Sequence, residues 1–159
     1  MTRLSTLALA LALVTPLAAC TEEADSAEFR EVLEFVDGMA LDSDDGAFRV
    51  VLASEDGRLG TGRNDLIVRV GFHDPNDPDA EGRGIPGAKL EVEAWMPDAE
   101  VAMQSDIEVA YLGDGAYEVE NVVLDRAGVW NFDIEIRVGE GMVETVSLAF
   151  EVDDLDYRG

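Results

Sequence analysis

The chain has one cysteine, one histidine and only 11 lysine or arginine residues against 35 aspartates and glutamates. A single cysteine excludes an internal disulfide, so the fold must be held by its apolar core. The shortage of bases leaves a formal charge of −24. Such a surface repels nucleic acid and anionic headgroups at long range, and it favours cations. No H-E-x-x-H, no Walker-type glycine loop and no supported Ser-His-Asp order is present, so no catalytic site is expected. Carboxylate pairs carry no weight in a chain with acids throughout.

What is present begins at the N-terminus. Residues 1–19 join a basic start, Arg3, to an apolar stretch from Leu4 to Val14, and end in Ala18-Ala19 before Cys20. This is the pattern of a secretory signal, too short to span a bilayer as a mature helix. Leu17-Ala18-Ala19-Cys20 resembles the lipobox of bacterial lipoproteins, which implies a diacylglycerol on the Cys20 thiol and a membrane partner through that lipid. Thr21 stands where an Asp would imply inner-membrane retention in enterobacteria. The expected location is therefore the cell envelope, lipid-anchored at the outer membrane and facing the periplasm or exterior. Cleavage removes one base and no acid, leaving 35 acids against 10 bases, a charge of −25. That acidity suits a cationic or metal partner, and equally the solubility of an exported protein.

The predicted organisation is a signal over 1–19, and a lipidated cysteine, acidic tether and short packing segment over 20–46. A sandwich domain over 47–153 and a tail over 154–159 follow. Residues 21–28 (TEEADSAE) are acidic and lack apolar periodicity, as a tether does. Phe29 to Met39 fits a short helix or an extended segment equally, and Leu41 to Gly46 is turn-rich. Seven alternating or β-branched runs then follow: Ala47–Ser54, Asp65–Phe72, Ala88–Met96, Ile107–Leu112, Ala116–Leu124, Gly128–Val138 and Met142–Val152. With no helical run between them, they predict an all-β, immunoglobulin-like antiparallel β-sandwich of about seven strands. Alternation is clearest in Trp130, Phe132, Ile134, Ile136 and Val138, with Asn131, Asp133, Glu135 and Arg137 between them. Gly113-Asp114-Gly115 and Gly139-Glu140-Gly141 read as hairpin turns. His73 to Gly87 reads as a long excursion, the kind of loop that is often functional or mobile.

The order of Gly60-Thr61-Gly62-Arg63-Asn64-Asp65-Leu66, Gly87-Ala88-Lys89-Leu90, Trp95-Met96-Pro97, Asp114-Gly115-Ala116-Tyr117 and Gly128-Val129-Trp130 resembles the YtkA-like domain, related to the FixH family. The likeness runs from about Phe48 to Val152. It implies an immunoglobulin-like sandwich, and a role near copper handling or cytochrome oxidase assembly at the envelope. In that family a Met- and His-rich segment after Met-Pro suits a cuprous ion. Here the segment runs from Trp95 to Gln104, keeps Met96 and Met103, and has no histidine.

Two metal sets follow. Met96, Met103 and His73 offer two thioethers and an imidazole, a chemically reasonable set for Cu(I); the alternative is two packing methionines and a loop histidine. Asp74, Asn76, Asp77, Asp79 and Glu81 offer oxygens that Ca²⁺ accepts in flexible geometry, without EF-hand spacing. Asp42, Asp44 and Asp45 form a smaller cluster, and a solvated acidic loop is the bland alternative. Trp95 and Trp130 are expected in the core. A binding module with a metal ion, or a protein-interaction module with an envelope partner and no metal, both remain open. An exposed edge strand with an apolar patch favours the second, and convergence of the three Cu(I) candidates favours the first.

Overall fold

A computed structural model describes residues 30–77 and 80–154. In chain order the strands are β1 (Val32–Leu33), β2 (Met39–Asp42), β3 (Phe48–Ser54), β4 (Gly62–Phe72) and β5 (Lys89–Met96). After a 3₁₀ turn at Pro97–Ala99 come β6 (Val101–Ala102), β7 (Glu108–Gly113), β8 (Ala116–Leu124), β9 (Gly128–Val138) and β10 (Met142–Val152). They form two five-stranded sheets, ordered β1-β10-β9-β5-β6 and β2-β3-β4-β8-β7. Every pair but β1–β10 is antiparallel. The expected all-β antiparallel sandwich is what the chain forms.

Seven strands are expected from the pattern, and the described residues form ten. The additional β1, β2 and β6 are two to four residues long, too short to display a period of two. In the segment that fits helix or extended chain equally, the described residues from Arg30 onward form no helix: β1 pairs with Ala149 and Phe150, a turn follows at 37–38, and β2 begins at Met39. Leu41 and Asp42 belong to β2, so the turn shrinks to Ser43–Gly46, closed by the Gly46 amide donating to the Ser43 carbonyl at 2.8 Å.

The pleat places Phe48, Val50 and Leu52 of β3, Leu66, Val68 and Val70 of β4, and Trp130, Phe132, Ile134 and Ile136 of β9 in one core. Phe132 meets Phe150 edge-on at 5.7 Å, and Phe35 caps Phe150 at 5.5 Å, arrangements that aromatic quadrupoles favour. Asn64 is buried at the irregular start of β4. Its side-chain amide donates to the carbonyls of Gly60, Gly62 and Val122 at 2.9–3.2 Å, and its oxygen accepts from the Gly60 amide at 3.0 Å. This full satisfaction is what permits a buried amide.

The excursion after β4 folds back on the sandwich. Gly71 bridges Gly84, and the Arg69 guanidinium donates to the carbonyls of Glu81 and Gly82 at 2.9 and 3.0 Å. A Cβ on Gly84 would stand 2.1 Å from the Asp114 carbonyl oxygen, so the loop packs backbone to backbone on the β7–β8 turn. Both glycine-flanked hairpins are found where expected, at 113–116 and 138–142.

Candidate functional site

Pro97 has no amide proton with which to continue the ladder, so β5 stops at Met96 and the chain turns back through Pro97–Ala99 into β6. Glu100 takes a left-handed conformation to complete that reversal. Trp95 then faces Ala102, Met96 faces Val101, and the Met103 amide donates to the Ala94 carbonyl at 2.7 Å. Because side chains alternate along a strand, Met96 and Met103 share the inward face as diagonal neighbours across β5–β6. Met96 is buried, and Met103 packs half-buried against the core.

Met103 also lines an opening of about 250 Å³ with Trp130, Val123, Asp125, Ser105 and Gln104. The Trp130 indole N–H is spent on the Arg126 carbonyl at 3.0 Å, which fixes the ring at the cavity wall. Met96 ends against Gly128: a Cβ there would lie 3.0 Å from the methionine methyl. Asp125 is hydrogen-bonded to Arg126 at 3.1 Å, which holds its carboxyl below the usual aspartate range. Arg126 is correspondingly raised by the same contact. The opening therefore presents the Met103 thioether, the Trp130 ring and the Asp125 carboxylate, with Met96 buried on the same inward face.

His73 lies at the other end of the sandwich. It follows Phe72, the far end of β4, whereas Gly62 at the near end pairs with Leu124 beside the Met96 terminus. An eleven-residue strand spans about 35 Å, so His73 does not join the two methionines. Its amide donates to the Ala47 carbonyl at 3.0 Å, and its Nδ1 stands 3.1 Å from Asp42 Oδ1, off the hydrogen-bonding direction. Asp42 also accepts from Arg49 at 2.8 Å.

The acidic loop is likewise self-occupied. Asp74 accepts from the Asn76 amide and side chain at 2.9 and 3.1 Å, which lowers its pKa. The Asp77 amide closes the same turn, while the Glu81 carboxylate reaches Arg69 at 3.4 Å. Asp44 accepts from Ser147 at 2.9 Å. Among the described residues no three His, Cys, Asp or Glu side chains converge to hold an ion. Asp79 and Cys20 lie outside the described residues. Among those residues, too, no helix is long and apolar enough to cross a membrane.

Trp130 is core as expected, and Trp95 is not. Trp95 is half-exposed on the outer face, with the Arg30 guanidinium 4.7 Å above its ring. Arg30 also donates to the Phe132 carbonyl at 2.8 Å and pairs with Asp133. Sequence reasoning misses this clamp, because Arg30 lies about a hundred residues from both oxygen partners and shares no motif with them.

Two five-stranded sheets packed as a sandwich, with Met96 and Met103 on the inward face at one end, define the class of protein, a small all-β domain. The chain belongs to the YtkA-like family, whose model matches residues 43–135. Among solved structures it is similar to a copper-bound variant of FetP from uropathogenic Escherichia coli strain F11. The TM-score is 0.53 at 14% identity, covering 80% of this chain and 97% of that one. It is also similar to FetP of the same strain as isolated, at a TM-score of 0.50 and 12% identity, covering 78% and 99%. Among curated proteins none matches.

Proposed function

We propose that this chain is a non-enzymatic copper-handling module of the cell envelope, tethered by lipid on Cys20 and holding Cu(I) between Met96 and Met103. The observation that carries this reading is the inward placement of both methionines as diagonal neighbours across β5–β6, with Met103 opening onto a cavity that Trp130 also lines. Thioether sulfur is a soft donor that selects the cuprous ion over harder divalent ions. Membership of the YtkA-like family and the fold shared with a copper-bound FetP support the reading. His73 contributes nothing to this site, so the donor set is narrower than the sequence offered.

The test is a Cu(I) competition titration against a chromophoric chelator, comparing the full chain with a Met96→Leu/Met103→Leu double variant. Leucine keeps the volume and removes the sulfur. One-to-one binding that the double variant loses is expected. Absence of binding above background, or unchanged binding by the variant, overturns the reading.

A further inference from the structure

Between the two sheets, on the side away from β1 and β2, the sandwich is open. β7 is the last strand of its sheet and has no neighbour beyond it among the described residues. On the facing sheet β6 covers only Trp95 and Met96, so the first part of β5 is also a free edge. Between these edges runs a groove of about 350 Å³ lined by Leu90, Lys89, Val109, Tyr111 and Tyr117. Val109 is 39% exposed and Tyr111 50%, although both point inward from β7, opposite the buried Val119 and Tyr117.

The other face of the same edge carries Glu108 and, on the neighbouring β8, Glu118 and Glu120, beside the exposed Leu112. Glu108 lies across from Glu120, and Ala110 across from Glu118. Glu118 has no basic partner among the described residues. The guanidinium near Glu120, that of Arg63, is 4.0 Å away and serves Asp65 first, at 3.1 Å. Like charges directly opposite on a sheet are destabilising, so this row stands ready for an external cation. Ala110 is small enough for a long basic side chain to cross it and reach Glu118.

We propose that the β7 edge docks an extended, cationic amphipathic segment of another protein by strand addition. Backbone groups pair with β7, alternate apolar side chains enter the groove beside Val109 and Tyr111, and the intervening Lys or Arg side chains meet Glu108 and Glu118. A second copy of this chain does not fit: each carries a formal charge of −24, so two such surfaces repel on approach. The proposal is independent of the metal site, which lies at the Met96 end.

The probe is a capped ten-residue peptide alternating Val and Lys, titrated calorimetrically into the full chain beside analogues carrying Ser or Glu in place of Lys. The Lys peptide is expected to bind, to weaken at least tenfold for Val109→Asp and for Glu108→Lys/Glu118→Lys, and to weaken with added salt. Circular dichroism confirms that both variants, which alter Val109 and Glu108 on the exposed edge and the half-buried Glu118, remain folded. No binding of the Lys peptide overturns the proposal. So does binding that Val109→Asp leaves intact, which would report diffuse attraction to the acidic surface. Equal binding of the Ser peptide overturns the cationic partner while leaving strand addition in place.

Discussion

The Tyr117 hydroxyl ties Ile85 to Ala88 in the turn that leads into β5. It donates to the Ile85 carbonyl at 2.6 Å and accepts from the Ala88 amide at 2.8 Å. One phenol on β8 thereby fixes where β5 begins, and so where the edge groove opens. Removing it leaves a buried carbonyl and amide unpaired, at about 1–3 kcal/mol for such a loss. Tyr117→Phe is expected to lower the urea midpoint accordingly without changing the slope. A midpoint within error of wild type would show that the loop is held by Arg69 and the glycine contacts alone.

The same hydroxyl gives a pH dependence. Burial raises the Tyr117 pKa above the ordinary 10.0. A raised pKa means the folded state keeps its proton longer, so the contribution is full below pH 10 and is lost as pH climbs through the folded value. Denaturation at pH 8 and pH 11 should show a fall in stability that is smaller in Tyr117→Phe. An equal fall in both proteins would assign the alkaline sensitivity to other groups.

Two glycines separate close packing from turn strain. A Cβ on Gly84 meets the Asp114 carbonyl oxygen at 2.1 Å, whereas Gly139 has nothing within 4 Å and only a φ of +63° to satisfy. Gly139→Ala should cost about 1 kcal/mol for a left-handed residue. Gly84→Ala should cost about 3 kcal/mol or more, because two backbones must part. Thermal melts of the two variants check the order. Equal costs would mean the excursion gives way easily.

The parts of this fold legible in the sequence are those whose cause is local. Trp130 to Val138 announces a strand because its alternation is set by the pleat itself, and Gly113-Asp114-Gly115 announces a turn because positive φ needs such residues. Met96-Pro97 marks the end of β5 because proline has no amide proton to continue the ladder. Long-range causes left no trace: β1 exists because β10 offers an edge to Val32 and Leu33. Arg30 is placed by Asp133 and Trp95. The separation of His73 from Met96 follows from strand register, which composition does not carry. The excursion from His73 to Gly87 has the prolines and glycines of a mobile loop, yet from Glu81 onward those glycines permit its close packing on β4 and the β7–β8 turn.

Asn64 offers a test of the irregular β4 start. Its amide makes three donated hydrogen bonds and accepts one, all to backbone. Asn64→Ala strands several buried groups and should cost about 2–4 kcal/mol. Asn64→Asp should cost at least as much, since a carboxylate accepts but does not donate to Gly60, Gly62 and Val122. Retained stability in Asn64→Asp would show that water replaces the lost donors.

The metal reading yields a discrimination among single variants that position alone dictates. Met103 lines the cavity with Trp130 and is half-buried, whereas Met96 is packed against Gly128. Met103→Leu should therefore abolish the stabilisation by Cu(I), expected at about 2.7 kcal/mol when free copper is a hundred times its dissociation constant. Met96→Leu should remove most of it. His73→Asn, at the far end of β4, should leave it unchanged. Melts with and without Cu(I), under reducing conditions, read all three, and Trp130 fluorescence reports ligation directly. Loss of the copper effect in His73→Asn with retention in Met103→Leu would move the site to the opposite end of the sandwich and overturn the thioether assignment.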